Sequence, residues 1–147
     1  MSLTTPSKQP TVTDKSKYLH SELTEQLIGS FYEVYNELGY GFLESVYEAA
    51  LFKVPSAKEL NPQRQVATPV WFRGEKSTDF CADLLVNNQV LLELKAVRVL
   101  EPCHEAQLLN YLRATPVEIG LLLNFGPRPI VRPMVFSNER KISAPQR

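Results

Sequence analysis

The sequence predicts an α/β domain: helices packed on a mixed β-sheet with an antiparallel hairpin at its heart. Three observations carry that expectation. The first third of the chain holds two apolar stripes at helical spacing. The middle switches to short runs rich in Val, Thr, Trp and Phe, the composition of strands. Residues 117–125 then form a near-continuous apolar run, which suits a strand covered on both faces. At 147 residues the chain has the length of about one domain. A chain of this size buries roughly 68–70% of the surface its unfolded form exposes, enough for one core without staples.

The elements follow in order. Residues 1–17 are polar, carry two prolines and read as a flexible tail. A helix opens near Ser21, a candidate N-cap with Glu22 behind it. Leu27, Ile28, Phe31, Val34, Tyr35 and Leu38 form its apolar face, and Gly39 supplies the stop. Tyr40-Gly41 makes a turn. Leu43, Val46, Tyr47, Ala50, Leu51 and Val54 mark a second helix. Pro55 is expected to end it, since proline lacks an N–H and clashes with the preceding turn. Residues 56–62 are a loop or a frayed turn. Arg64–Phe72 reads as a strand, with Pro69 placing it at an edge or a bulge. After a turn at residues 73–76, Asp79–Val86 and Val90–Val97 form two strands joined at Asn87-Asn88-Gln89. Glu101–Thr115 is helical, with Pro102 in its first turn and Leu108, Leu109 and Leu112 on its buried side. Val117–Phe125 is a central strand. Ile130–Phe136 is the last, and Pro133 sets it at an edge. The domain thus spans residues 18–136, with 137–147 as a second tail.

Composition narrows the class. Apolar residues are 44% and charged residues 22%, which excludes a disordered chain or a coiled coil. No apolar run is long enough to span a bilayer, and the first twenty residues lack the apolar stretch of a secretory signal. Cys81 and Cys103 are too few for a disulfide framework or a structural zinc site. They read as reduced thiols of a cytoplasmic protein. The net charge is zero, yet residues 21–127 hold 8 basic and 14 acidic residues, a net of −6. The flanks 1–20 and 128–147 carry +2 and +4. A dedicated duplex binder shows a basic footprint, and this core has none. A metal enzyme is disfavoured less, because an ion neutralises the carboxylates that hold it.

The sharpest chemical feature lies in the second hairpin. Asp83 sits in CADLLV, and Glu93 and Lys95 sit in LLELKA. Residues two apart in a strand share a face, so Glu93 and Lys95 point the same way while Val90, Leu92, Leu94 and Ala96 pack opposite. A carboxylate and an ammonium in so apolar a strand are costly to bury unless paired or metal-bound. Asp83 lies beside Glu93 only if Val86 faces Val90, which requires the three-residue loop or a bulge that restores the phase. Two adjacent carboxylates can hold Mg²⁺ or Mn²⁺ with waters completing the octahedron. The ion would turn water into a nucleophile near neutral pH, and Lys95 could orient that water. The plain alternative is an ion pair on a solvated sheet face. Two further patterns stand out. Gly41, Glu44 and Tyr47 form GxxExxY, with Glu44 and Tyr47 one helical turn apart. Gln107 and Tyr111 lie four apart on one helical face, and His104 lies three residues before Gln107. Their structural alternatives are a dipole contact for Glu44, a core ring for Tyr47, a packing pair for Gln107 and Tyr111, and a rim position for His104.

GFLESVYEAAL, ADLLV, LLELKAV, HEAQLLNYLRAT and GLLLNFG, in this order, resemble the GxxExxY protein family over residues 21–136. That family is in turn similar to the PD-(D/E)xK nuclease-like superfamily. The resemblance implies a restriction-endonuclease-like core and a Mg²⁺-dependent (or Mn²⁺-dependent) nuclease acting on nucleic acid. Residue by residue, Asp83, Glu93 and Lys95 match the superfamily's acidic pair and lysine. Glu44 matches an acid on the preceding helix, and the Leu94 carbonyl is a further metal ligand. Gln107 and Tyr111 match a helix motif that positions DNA or the lysine, leaving Tyr47, Tyr111 and His104 as substrate-positioning candidates. The small size leaves room for a homodimer that surrounds substrate. The alternative is a non-catalytic module that keeps the fold to bind a protein or nucleic acid.

Overall fold

A computed structural model describes residues 20–141. Helices α1 (Ser21–Leu38) and α2 (Glu44–Ala57) are followed by strands β1 (Pro62–Phe72), β2 (Glu75–Val86) and β3 (Val90–Lys95). Helix α3 (Pro102–Ala114) crosses back to β4 (Ile119–Phe125), and β5 (Pro129–Val135) ends the sheet. The five strands lie in chain order, β1 to β5. All neighbours are antiparallel except β3 and β4, which α3 joins in parallel. This is the expected mixed α/β architecture. The expected tail over residues 1–17 lies outside the described residues.

Burial divides the apolar residues between the two faces of the sheet. Leu27, Phe31, Tyr47 and Leu51 of α1 and α2 pack on Leu84, Leu92, Leu94, Leu121 and Leu123. Leu108 and Leu112 of α3 pack on Phe80, Ala82, Leu85, Leu91 and Leu122. Strand β4 is buried along its whole length, as a strand covered on both sides must be. Both prolines expected at edges are there: Pro69 in β1 and Pro133 in β5. The hairpin register is the required one, with Val86 opposite Val90 and Leu84 opposite Leu92. Asn87 and Asn88 make the turn with φ of 55° each, and Gln89 N–H donates to the Val86 carbonyl at 2.9 Å. Asn tolerates this left-handed region better than most residues.

Several boundaries differ from the expected ones, and four of them have a local cause. The first helical residue is Ser21 itself, and His20 takes the cap position without a side-chain cap bond. Helix α2 runs past Pro55 to Ala57. The missing donor falls in the last turn, where the Ser56 hydroxyl donates to the Phe52 carbonyl at 2.6 Å and Lys58 N–H to Pro55 at 2.9 Å. Strand β2 begins at Glu75, four residues early. Residues 75–79 are exposed and form a ribbon with β1 that has no wet-dry alternation to read. Residues 137–141 are fastened to the domain: the Lys141 ammonium donates to the Thr115 and Val117 carbonyls at 2.7 and 2.8 Å.

The end of β3 is also shorter than expected, stopping at Lys95, and its cause is a buried amide. Lys95 pairs with Asn124, the last rung of the parallel ladder. Beyond it the fully buried Asn124 side chain takes both backbone groups of Val97, accepting from its N–H at 3.0 Å and donating to its carbonyl at 2.9 Å. Gly126 must be glycine here, since a Cβ would stand 2.4 Å from the Val97 oxygen. Gly126→Ala is expected to lower the unfolding free energy by about 1–3 kcal/mol. Gly29→Ala, on an exposed turn of α1 with nothing within 4 Å of the new methyl, should raise it by about 1 kcal/mol. Urea denaturation of the two variants checks both signs.

A candidate metal centre at the end of the third strand

Strand β2 changes phase at Asp83. Phe80, Ala82 and Leu85 all belong to the cluster beneath α3, whereas Leu84 and Val86 face α1 and α2. Alternation therefore slips between Ala82 and Leu84. Opposite the slip, Gln65 of β1 adopts a left-handed φ of 51°. Pairing of β2 with β3 ends here, at Leu84 and Leu92. The Asp83 carboxylate replaces a ladder carbonyl, accepting from Leu94 N–H at 2.9 Å. Asp83 N–H in turn faces the Glu93 carboxylate at 3.4 Å. The slip thus sets two carboxylates side by side at the point where the sheet opens.

Acidic groups reach this opening from both sides. Glu93 projects on the α3 side into a cleft of about 580 Å³, which it shares with Lys95, Gln107 and Tyr111. Glu44, the first residue of α2, comes from the other side, and its carboxylate accepts from Ala96 N–H at 3.3 Å. Glu48 stands one turn behind Glu44 and is held by Arg64 at 3.1 Å and Gln65 at 2.9 Å. No ion pair among the described residues closes on Glu44, Asp83, Glu93 or Lys95. Burial raises the pKa of Asp83, and the Glu48 and Glu44 charges add to the rise against the opposing Leu94 hydrogen bond and Lys95. Burial, then the Asp83 charge, lifts Glu93 to about 7.

The other expected site residues sort into two groups. Gln107 and Tyr111 stand together in the cleft, the Gln107 amide donating to the Tyr111 hydroxyl at 3.1 Å. The Tyr111 ring stacks on Phe80 with centroids 3.3 Å apart. Tyr47 and His104 are built into the fold instead. Tyr47 is fully buried and stacks on Phe125 at 4.0 Å. Its hydroxyl donates to the Gly39 carbonyl at 2.6 Å and accepts from Phe42 N–H at 3.2 Å, bracing the turn that launches Glu44. Direct contact of Tyr47 with a substrate is therefore closed off. His104 Nδ1 accepts from Glu101 N–H at 2.9 Å and caps the start of α3. Sequence reasoning missed Glu48 and Asn124. The four-residue spacing of Glu44 and Glu48 was a readable signal, and so was a lone amide in the apolar run GLLLNF.

The donor set suits a hard divalent cation. Among the described residues no ion pair closes on the two adjacent carboxylates, and their own burial and repulsion penalise the anionic form. Among the described residues no three metal-ligating side chains stand close enough to hold an ion. The expected third ligand, Glu44, is turned to the Ala96 amide. Mg²⁺ requires less, since it is held by one or two carboxylates with waters filling its shell.

The raised Glu93 pKa has a consequence for stability. The folded state holds its proton more tightly than the unfolded chain does, so the stabilisation is complete below about pH 4.5 and lost as pH rises through about 7. In metal-free buffer the melting temperature is expected to fall between pH 4.5 and 7. Glu93→Gln should flatten that fall, and scanning calorimetry across this range measures it.

The chain is similar in fold to the crystal structure of SSO0001, with a TM-score of 0.50 at 20% identity over 97% of this chain and 71% of that one. No curated protein matches it. A family model for the PD-(D/E)XK nuclease superfamily matches residues 21–134, most of the sequence and every strand of the site. The chain belongs to the PD-(D/E)XK nuclease superfamily.

Proposed function

We propose that this protein is a Mg²⁺- or Mn²⁺-dependent phosphodiester hydrolase acting on nucleic acid. One observation carries the reading: Asp83 and Glu93 lie adjacent at the open end of the sheet, no basic side chain among the described residues pairs with either, and Lys95 lines the cleft that Glu93 enters. Asp83, Glu93 and the Leu94 carbonyl would hold the ion, with Glu44 as a third carboxylate at the edge of the same opening. When bound, such an ion lowers the pKa of water and offsets charge on a phosphoryl oxygen.

The chain's own groups supply the rest. Lys95 lies two residues beyond Glu93 on the same face and lines the same cleft, so its ammonium could donate to an attacking water or to a phosphate oxygen there. Gln107 has one amide hydrogen engaged with Tyr111. Its remaining donor and its oxygen are available to Lys95 or to a phosphate. Tyr111, fixed against Phe80, keeps Gln107 at the cleft wall. In this reading helix α3 would steady the lysine from one side while the braced turn before α2 holds the start of the Glu44 helix on the other. Part of the basic C-terminal flank is engaged in the fold: Arg132 pairs with Glu105 at 3.0 Å and Lys141 with backbone carbonyls. Among the described residues of that flank, phosphate contacts would fall to Arg128 and Arg140. The thiols of Cys81 and Cys103 are free and exposed, which supports a reducing, cytoplasmic setting. No helix among the described residues is long and apolar enough to cross a membrane.

Two measurements test the reading. Wild-type protein is expected to cleave single- or double-stranded DNA or RNA only with Mg²⁺ or Mn²⁺, and Lys95→Ala to lose roughly 10²–10³-fold in rate. Equal rates in the two proteins would reject the assignment. Calorimetric titration with Mn²⁺ should show millimolar or tighter binding that Asp83→Asn abolishes. Metal-free binding of nucleic acid without cleavage would identify a non-catalytic module instead.

A further inference from the structure

A second hollow opens on the far side of the β3 terminus. It encloses about 170 Å³, and Tyr40, Phe42, Ala96, Arg98 and Phe125 line it. Its aromatic wall is held out in water: Tyr40 is 60% and Phe42 46% exposed. The turn that carries them is fixed. Gly39 and Gly41 occupy φ of 68° and 114°, and the buried Tyr47 hydroxyl bonds the backbone on both sides of Tyr40-Gly41. No acidic residue lines the hollow. Arg98 is exposed, and no carboxylate pairs with it among the described residues. In a segment of net charge −6 this is a conspicuous place for an uncompensated guanidinium. Consecutive residues at the end of β3 line the two hollows, Glu93 and Lys95 the larger and Ala96 and Arg98 the smaller.

We infer that the substrate is single-stranded nucleic acid, with an unpaired base stacked on Tyr40 and Phe42 and its phosphate on Arg98. The inference rests on the hydrolase reading and specifies the substrate of that site. Aromatic faces bind bases through stacking, which tolerates any sequence but needs the base out of a duplex. The acidic core points the same way, because a duplex brings a second row of phosphates for which this segment has no basic footprint. A single strand crossing the end of β3 sets one phosphate over Asp83 and Glu93 and the neighbouring base against the aromatic turn.

The test is binding without cleavage. Fluorescence anisotropy in EDTA compares a labelled oligothymidine, the same strand in a duplex, and thymidine monophosphate as competitor. The strand should bind at least about tenfold more tightly than the duplex, and the mononucleotide should compete weakly. Tyr40→Leu and Phe42→Leu should each weaken strand binding by about tenfold at unchanged salt dependence. Arg98→Ala should reduce the salt slope by about one. Tyr40 makes no internal hydrogen bond or ring contact among the described residues, so its variant separates binding from folding. Equal affinity for duplex and strand, or unchanged binding in both aromatic variants, would overturn the inference. So would sedimentation showing that the aromatic turn joins two copies of the chain. If wild type and aromatic variants cleave strand and duplex alike with Mg²⁺, the stacking is wrong and the hydrolase reading stands.

Discussion

Two carboxylates set side by side in a sheet of leucines are the constraint around which this molecule is arranged. An anion taken from water into such surroundings is destabilised unless something answers its charge. Here protein groups answer only part of it. Asp83 has the Leu94 amide, Glu93 has the Asp83 amide, and Lys95 acts on both at longer range. The remaining cost appears as raised proton affinity on both acids. A site left this way favours a ligand of concentrated positive charge over a neutral or anionic one. The slip in β2 is part of the same arrangement, because unbroken alternation would aim Asp83 away from the α3 side, to which Phe80 and Ala82 already point.

Much of the scaffold around the pair serves to end β3 at the right place. A longer β3 would continue its ladder with β4 and seal the opening. Asn124 prevents this by capping Val97 from within the apolar strand. Gly126 permits the close approach that the cap demands. Phe125, between them in sequence, is the ring on which Phe31, Tyr35 and Tyr47 converge. The Tyr35 hydroxyl donates to the Gly126 carbonyl at 2.8 Å, and the Tyr47 hydroxyl holds the turn before Glu44. One aromatic cluster thus couples both helices, the end of β4 and the launch of α2. The backbone from which Glu44 projects is therefore tied to the core, although its side chain is exposed.

Legibility in the sequence followed the physics of each signal. Helical stripes and the apolar run of β4 were readable because a buried face imposes a period on residue type. The register of β2 and β3 was readable from a chemical requirement, that Asp83 meet Glu93, and Val86 does face Val90. The start of β2 was not, since a ribbon exposed on both faces leaves no period. Pro55 was misread because one missing hydrogen bond costs little in a final turn. GxxExxY was read as a unit, yet its two ends do different work. Glu44 is exposed at the opening, whereas Tyr47 is buried behind it. Spacing alone places both on one side of a helix and cannot say how deep each one lies.

The capping role of His104 shows the same limit from another direction. Spacing put His104 near Gln107, and on that basis substrate contact was a reasonable expectation. Residue spacing does not reveal that the Glu101 N–H, left over at a helix start, has first claim on the imidazole. An orphan backbone donor is present at all times, whereas a substrate is present only at its binding equilibrium. The local bond therefore engages Nδ1 and fastens the first turn of α3. Gln107 and Tyr111 follow on the next turns of that helix, and both reach the cleft. Helix α3 thus carries three polar residues with different tasks: His104 anchors the backbone, Gln107 lines the cleft that Lys95 also lines, and Tyr111 holds Gln107 while stacking on Phe80.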